Sequence, residues 1–300
     1  MTRLLVTGGA GMVGQHVAEA AMARGLKVCL ADTNWHGRNH WAPADEWIAF
    51  DIRDDAACTA ACVGVSAVVH CAAVVGPTPA RADPRTALDV NVTGTANLLA
   101  ACAGAGARLI SVSTATLYGN RPDLNDLDET DPAEPLGIYD ATKLMAETFC
   151  TAWRRAYGGQ VASVRTGFVY GLGSGIGEYF LPRVLRGEAV AADTGADHPC
   201  DFTYVVDLAE ALVAAAMAPD LPETVYNVTG GRLRKRADLA AAVRIAVPGA
   251  CIDEGSGIDP ARHLRGACRI GRARRDLDWS PRFDLEAGIA DWKRRLETLP

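Results

Sequence analysis

The sequence predicts an α/β protein built on a doubly wound parallel sheet, with a smaller C-terminal lid over one edge of it. Three observations carry this expectation. Residues 3–114 alternate short apolar runs with longer Ala- and Leu-rich segments. The short runs are apolar nearly throughout, as strands covered on both faces are. Strict strand–helix alternation then demands right-handed crossovers between parallel neighbours.

In order, RLLVTG, KVCLAD, WIAFDI, AVVHCAA and RLISVST read as strands. The segments MVGQHVAEAAMARG, DDAACTAACVG and PRTALDVNVTGTANLLAACAGAG between them read as helices, and YDATKLMAETF carries helical periodicity after the fifth strand. Past residue 171 the alternation loosens. A Gly-rich stretch leads to a helix at FLPRVLRGEAV and an irregular segment ending in DFTYV. Asp207 followed by Glu210 reads as a capping box opening the helix LAEALVAAAMA. A strand at VYNV, a helix near Asp238–Ile245 and a last helix near Leu285–Leu296 complete the chain. The expected division is a core over 1–171 and a lid over 172–300, with some lid segments returning to the core. The lid would cover the carboxyl edge of the sheet, where such folds place ligands.

The chain has 300 residues, 49% of them hydrophobic, with a formal net charge of −6. An acidic balance argues against nucleic-acid binding, which needs concentrated Lys and Arg. The basic clusters Arg232–Arg236 and Arg262–Arg275 read mainly as solvated surface. No run of roughly 20 apolar residues suggests a membrane span, and no signal peptide is expected at MTRLLVTGGAG. A soluble, cytoplasmic protein with reduced thiols follows. The nine cysteines lack any Cys-x-x-Cys pairing or zinc-finger histidine spacing, so no metal site is expected.

Gly8, Gly11 and Gly14 fall in TGGAGMVG, between the first strand and first helix. Glycine is needed where backbone approaches a pyrophosphate and where the helix packs closely on the strand; the helix N-terminus then offers unpaired N–H groups to the phosphates. Asp32 ends the second strand, where a carboxylate accepts from both adenine-ribose hydroxyls and repels a 2′-phosphate. The expected cofactor is therefore NAD rather than NADP. Asp51 and Ile52 would lie near the adenine.

Tyr139 and Lys143 share one helix face. A free phenol titrates near about 10, too high for a base at neutral pH. A neighbouring ammonium and an oxidised nicotinamide would both stabilise the phenolate, letting Tyr139 take a hydroxyl proton as hydride leaves the same carbon. Ser113 and Thr114 end the fifth strand, where a hydroxyl can bond the reacting oxygen.

These motifs, with VVHCAA, NVTGT, STATLYG, RTGFVYG, DFTYVVDLAEA, YNVTGG and ARRDLDWSPRFDLEAGI, resemble the extended short-chain dehydrogenase/reductases of the NAD-dependent epimerase/dehydratase type over nearly the whole chain. The resemblance implies a Rossmann core and catalytic roles for Tyr139, Lys143 and Thr114, with Thr114 rather than Ser113 at the family's hydroxyl position. It implies cofactor contacts from Met12, Val13, Cys71, Ala72, Ala73 and Asn91 as well, with Asn91 also steadying the active-site backbone. His70 is implied as a structural lining residue. The helices carrying NVTGTANLL and YDATKLMAETF resemble those that pair across a homodimer as a four-helix bundle.

Related 4,6-dehydratases carry Asp-Glu after the catalytic Thr; here Ala115 and Thr116 stand there, which argues against dehydration. Members that grip a nucleoside diphosphate often have Asn and Arg where this chain has Gly167 and Cys200, although Arg262 or Arg265 can meet a phosphate. The expected partner is a sugar or nucleotide sugar. Nucleotide-sugar epimerase is the leading reading, an NAD-dependent dehydrogenase of a smaller sugar, sugar acid or other alcohol the second, and a non-catalytic NAD sensor the third. Trp35, His36, Trp41 and Trp47, around the second strand's loop, can pack on adenine, on a partner or simply on the surface.

Overall fold

The computed structural model describes residues 2–33, 41–173 and 180–298; Trp35 and His36 lie outside them. Strand β1 (Arg3–Thr7), helix α1 (Met12–Ala23), β2 (Lys27–Asp32), β3 (Glu46–Ala49), α2 (Asp55–Ala61) and β4 (Ala67–His70) follow the expected order. Next come α3 (Pro77–Ala82), α4 (Pro84–Leu88), one π-helical turn over Asp89–Thr93, and α5 (Gly94–Ala105). β5 (Arg108–Thr114) runs into a short 3-10 turn over Ala115–Tyr118, and α6 (Ile138–Tyr157) leads to β6 (Val161–Thr166). The remainder supplies β7 (Phe168–Tyr170), α7 (Leu181–Leu185), β8 (Val190–Ala191), β9 (Pro199–Tyr204), α8 (Val205–Met217) and β10 (Val225–Val228). Beyond these lie β11 (Leu233–Lys235), α9 (Arg236–Ala246), β12 (Ile252–Asp253), α10 (Gly271–Leu277) and α11 (Leu285–Thr298).

Seven strands form the central sheet in the order β10-β6-β5-β4-β1-β2-β3, every ladder parallel. Because strand side chains alternate faces, Leu4 and Val6 pack against Val17, Leu208 and Leu212 on one side, while Leu5 meets Val68, Leu98 and Leu109 on the other. The order reverses between β1 and β4, and a ligand crevice opens beyond the carboxyl ends at such a switch point. A second sheet, β11-β9-β7, carries its own core of Leu181, Tyr204, Leu239, Ile289 and Trp292. After residue 171, β10 extends the central sheet beside β6, and α8 packs on α1.

Three local expectations need correction. The third strand stops at Ala49, because the chain turns at Asp51, whose carbonyl accepts the Asp54 N–H at 3.0 Å. The long helix over 84–106 is broken by the π-turn, in which Asn91 bonds away from its own helix to Val74 and Thr142. Asp207 caps nothing. Helix α8 starts earlier, at Val205, and the buried Asp207 carboxylate accepts the Arg282 and Phe283 N–H groups, both at 3.1 Å. Among the described residues no helix is long and apolar enough to cross a membrane.

Leaving buried donors unpaired costs about 1–3 kcal/mol. Asp207→Ala should therefore lower the unfolding free energy by about 2 kcal/mol, measured as a lower urea midpoint; an unchanged midpoint would show that the tether to 282–283 is not stabilising.

Candidate active site

The glycine loop is tight enough to exclude side chains. Gly8 has φ +69°, and a Cβ there would sit 2.6 Å from the Ala72 nitrogen; one at Gly14 would sit 2.4 Å from the Gly8 carbonyl oxygen. A Cβ on Gly11 would approach that same oxygen to 3.1 Å. Gly11 is the N-cap of α1 and supplies no side-chain cap, so the first-turn amides at Met12 and Val13 have no partner within the helix. Asp32 accepts the Ala10 N–H at 3.1 Å, placing its carboxylate beside the loop. Cys71 and Ala72 run against Gly8, with the Cys71 N–H bonded to the Thr7 carbonyl, and Ala73 follows them. Such a cradle, closed to Cβ atoms and lined by amides, fits a dinucleotide pyrophosphate.

At the carboxyl end of β5, helix α6 is tied down on both sides of Thr114. Lys143 Nζ donates to the Val112 carbonyl at 2.9 Å. Asp140 accepts from the Thr116 hydroxyl. These two bonds bracket Thr114 and hold the first turns of α6, which carry Tyr139, along the end of β5. Burial pulls the Lys143 ammonium down to about 8. Burial first, and Asp140 second, push the Tyr139 phenol above its ordinary value. The Lys143 ammonium is directed at the Val112 carbonyl, and burial opposes the charged form of both side chains.

Around this centre the supporting residues are buried and bonded. Asn91 accepts the Val74 N–H at 2.8 Å and donates to Thr142 at 2.9 Å, and Thr142 donates to the Tyr139 carbonyl. His70 bridges Thr7 (2.8 Å) and Thr95 (3.0 Å), and burial holds its ring neutral, pulled down to about 3.

The expected substrate residues divide. Ser113 is turned away from Thr114's side and donates to Glu147 at 3.1 Å, inside a buried pair with Arg165; its hydroxyl is committed there. Gly167 has no room for any side chain, since a Cβ would lie 2.5 Å from the Asp201 carbonyl oxygen. Cys200 is buried in β9, and burial pushes its thiol up to about 11. Arg262 is paired with Asp259 at 3.1 Å and stacked over Phe168. Arg265 is half-buried beside Asp140 and Cys200, donates to the Gly119 carbonyl at 3.5 Å, and is lowered chiefly by burial. Asp51 is held by Arg53 in a bidentate pair, and the Ile52 side chain turns inward onto Gly94. Trp41 packs edge-on against His16, their ring centroids 4.6 Å apart, and Trp47 lies on the edge strand β3.

Sequence reasoning missed Thr116 and Asp140 as members of the site. They lie 24 positions apart, and no local pattern announces their contact. It also missed the Glu147–Arg165 pair, although Glu147 follows Tyr139 and Lys143 at helical spacing.

Comparison with known proteins gives the family. The model of the NAD dependent epimerase/dehydratase family matches residues 4–229. UDP-glucuronic acid decarboxylase 1 of Danio rerio is 30% identical over 225 residues, 71% of this chain but only 53% of that protein; the chain thus spans about half the length of that relative. A putative UDP-glucose 4-epimerase of Methanocaldococcus jannaschii is 27% identical, over 95% of each chain. The UDP-glucose 4-epimerase of Thermus thermophilus, solved in complex with NAD, superposes with a TM-score of 0.87 at 28% identity, covering 100% of both chains.

Unfolded, Lys143 keeps its proton up to about 10.5; folded, it releases it at about 8. Between those values the unfolded chain binds more protons, so stability rises with pH, by at most about 3 kcal/mol. Urea unfolding of the wild type and Lys143→Met across pH 8 to 10.5 should show this rise flattened in the variant; parallel curves would mean the ammonium is not desolvated.

Proposed function

The chain belongs to the NAD-dependent epimerase/dehydratase family, and from that premise we propose that it modifies a nucleotide sugar as an epimerase, through a transient ketone. The observation that carries the reading is that Lys143 and Asp140 fasten the first turns of α6, which bear Tyr139, to the chain on both sides of Thr114. The bound NAD supplies the hydride acceptor and, later, donor. Gly8, Gly11, Met12 and Val13 would hold its pyrophosphate and Asp32 the adenine ribose, while Asn91 keeps the backbone around Val74 in place. Lys143 would hold the second ribose. Tyr139 removes the proton from a secondary hydroxyl, and Thr114 bonds the same oxygen. Because burial opposes the phenolate, Tyr139 acts as base only beside added positive charge, from Lys143 and the oxidised ring. Base strength is then coupled to the cofactor's oxidation state. The same proton transfer at Tyr139 would serve epimerisation, decarboxylation or net dehydrogenation.

A second reading, dehydrogenase of a smaller sugar, sugar acid or alcohol, is favoured by the diphosphate side of the site. Gly167 admits no side chain, Cys200 is a buried thiol, and Arg262 is paired with Asp259. Arg265 is the arginine best placed for a phosphate or carboxylate. Purified protein incubated with UDP-glucose or UDP-glucuronic acid separates the readings: isomerised sugar without net NADH supports the first, NADH accumulation the second.

Tyr139→Phe should abolish turnover, at least about 100-fold, while leaving NAD affinity nearly unchanged; substantial retained activity would remove Tyr139 as the base. We also propose a homodimer through α5 and α6, supported by Met145 and Phe149, large apolar side chains 48% and 40% exposed on α6. Phe149→Glu should shift the sedimentation coefficient from dimer to monomer, and a wild-type protein already monomeric at micromolar concentration would refute the pairing.

A further inference from the structure

Residues 264–269 form a strap between the loop that follows the 3-10 turn and the lid strand β9. On the loop side it is tied several times. The Leu264 N–H donates to Asn120 Oδ1 at 2.9 Å, and its carbonyl accepts the Arg121 N–H at 2.7 Å. The Ala267 carbonyl accepts the Leu127 N–H at 2.8 Å, and the Arg269 N–H donates to the Leu127 carbonyl at 2.7 Å. On the lid side, among the described residues, one hydrogen bond joins the strap to β9: the Cys268 N–H donates to Asp201 Oδ2 at 2.9 Å. Arg265 rides on this strap. Its guanidinium makes only a 3.5 Å bond to the Gly119 carbonyl and lies close enough to Asp140 and Cys200 to interact with both. A long side chain so lightly held is placed mainly by its backbone.

We propose that Asp201 is a positioning residue: it clamps the strap to β9 and so sets Arg265 where an anionic group of the substrate, phosphate or carboxylate, meets it. The proposal rests on the functional reading above and deepens it. Asp201 is buried and committed to a backbone amide, so it acts through the strap and not on a ligand. Burial pushes its carboxyl up to about 6, and the Cys268 N–H opposes that rise. Burying a carboxylate is costly, and a plain structural tie needs only a neutral acceptor. What the charge adds is a hydrogen bond roughly twice as strong as a neutral one. That strength falls on the bond that joins the strap to the lid, at Cys268, close in the chain to Arg265.

Two measurements test this. Hydrogen–deuterium exchange on the purified protein, without sugar, reads the clamp itself. Asp201→Ala should speed exchange at the Cys268 amide about tenfold or more, and Asp201→Asn, which keeps an acceptor oxygen, should lie between it and wild type. Unchanged exchange over 264–269 in Asp201→Ala overturns the proposal. The second measurement is calorimetric titration of the NAD-loaded protein with UDP and, separately, with glucuronic acid. Arg265→Gln should weaken the probe that carries the anionic partner, UDP for a phosphate and glucuronic acid for a carboxylate. Asp201→Ala should weaken that same probe about tenfold and add no further loss in the Arg265→Gln background. A loss that persists undiminished in that background overturns the proposal, as does an Arg265→Gln protein that binds both probes like wild type. If Asp201→Ala does not fold, judged by lost NAD binding, Asp201→Asn enters the same cycle with a smaller expected loss. A wild type that binds neither probe overturns the functional reading and the ligand role of Arg265 with it; binding without coupling overturns the role of Asp201 alone.

Discussion

The attachment of α6 along the last residues of β5 is the constraint on which the site depends. Lys143 reaches the Val112 carbonyl, Asp140 takes the Thr116 hydroxyl, and Glu147 takes Ser113 together with Arg165 of β6. From the neighbouring π-turn Asn91 adds a fourth tie through Thr142. A slip of α6 by one turn would move every side chain by about 5.4 Å and break all four. The Glu147–Arg165 pair is almost wholly buried, with side chains 5% and 6% exposed. Buried pairs add little net stability because desolvation offsets attraction, so its contribution here is better understood as a lock on helix register.

Burial acts on the two titrating groups in opposite senses, raising the phenol and lowering the ammonium. Both shifts disfavour charge in the closed protein. Groups that resist their own ionisation gain reactivity when positive charge enters with a ligand. In the lid, by contrast, Arg234, Arg236 and Arg262 each have carboxylate neighbours, which leaves Arg265 with the lightest commitments of the arginines around Cys200.

Much of this was legible in the sequence, and the boundary is physical. The glycine loop is a local device, since backbone clearance and φ at Gly8 depend on neighbours in the chain and on one adjacent strand; TGGAGMVG states it. Tyr139 and Lys143 share a helix face, which spacing alone reveals. The side to which Ser113 turns was not legible, because its partner Glu147 comes from a helix 34 positions away. Asp207 looked like a cap because Glu210 follows it at the right interval; its true partners, the amides at 282 and 283, are tertiary. The halt of β3 at Ala49 was hidden because apolar Phe50 and Ile52 continue the pattern while Asp51 turns the chain.

The return of β10 to the central sheet has a consequence for how the lid can change. β10 covers what would otherwise be the open edge of β6, and α8, whose residues precede β10, covers one face of the sheet against α1. A fragment ending near residue 171 would expose both an unpaired strand edge and a wide apolar surface, a template for aggregation. The two halves are thus one cooperative body threaded twice. The chain between these anchors builds the second core instead, from Leu181 and Val184 of α7 and Leu239 and Val243 of α9, so a change there falls on that core and leaves the order of the seven strands intact.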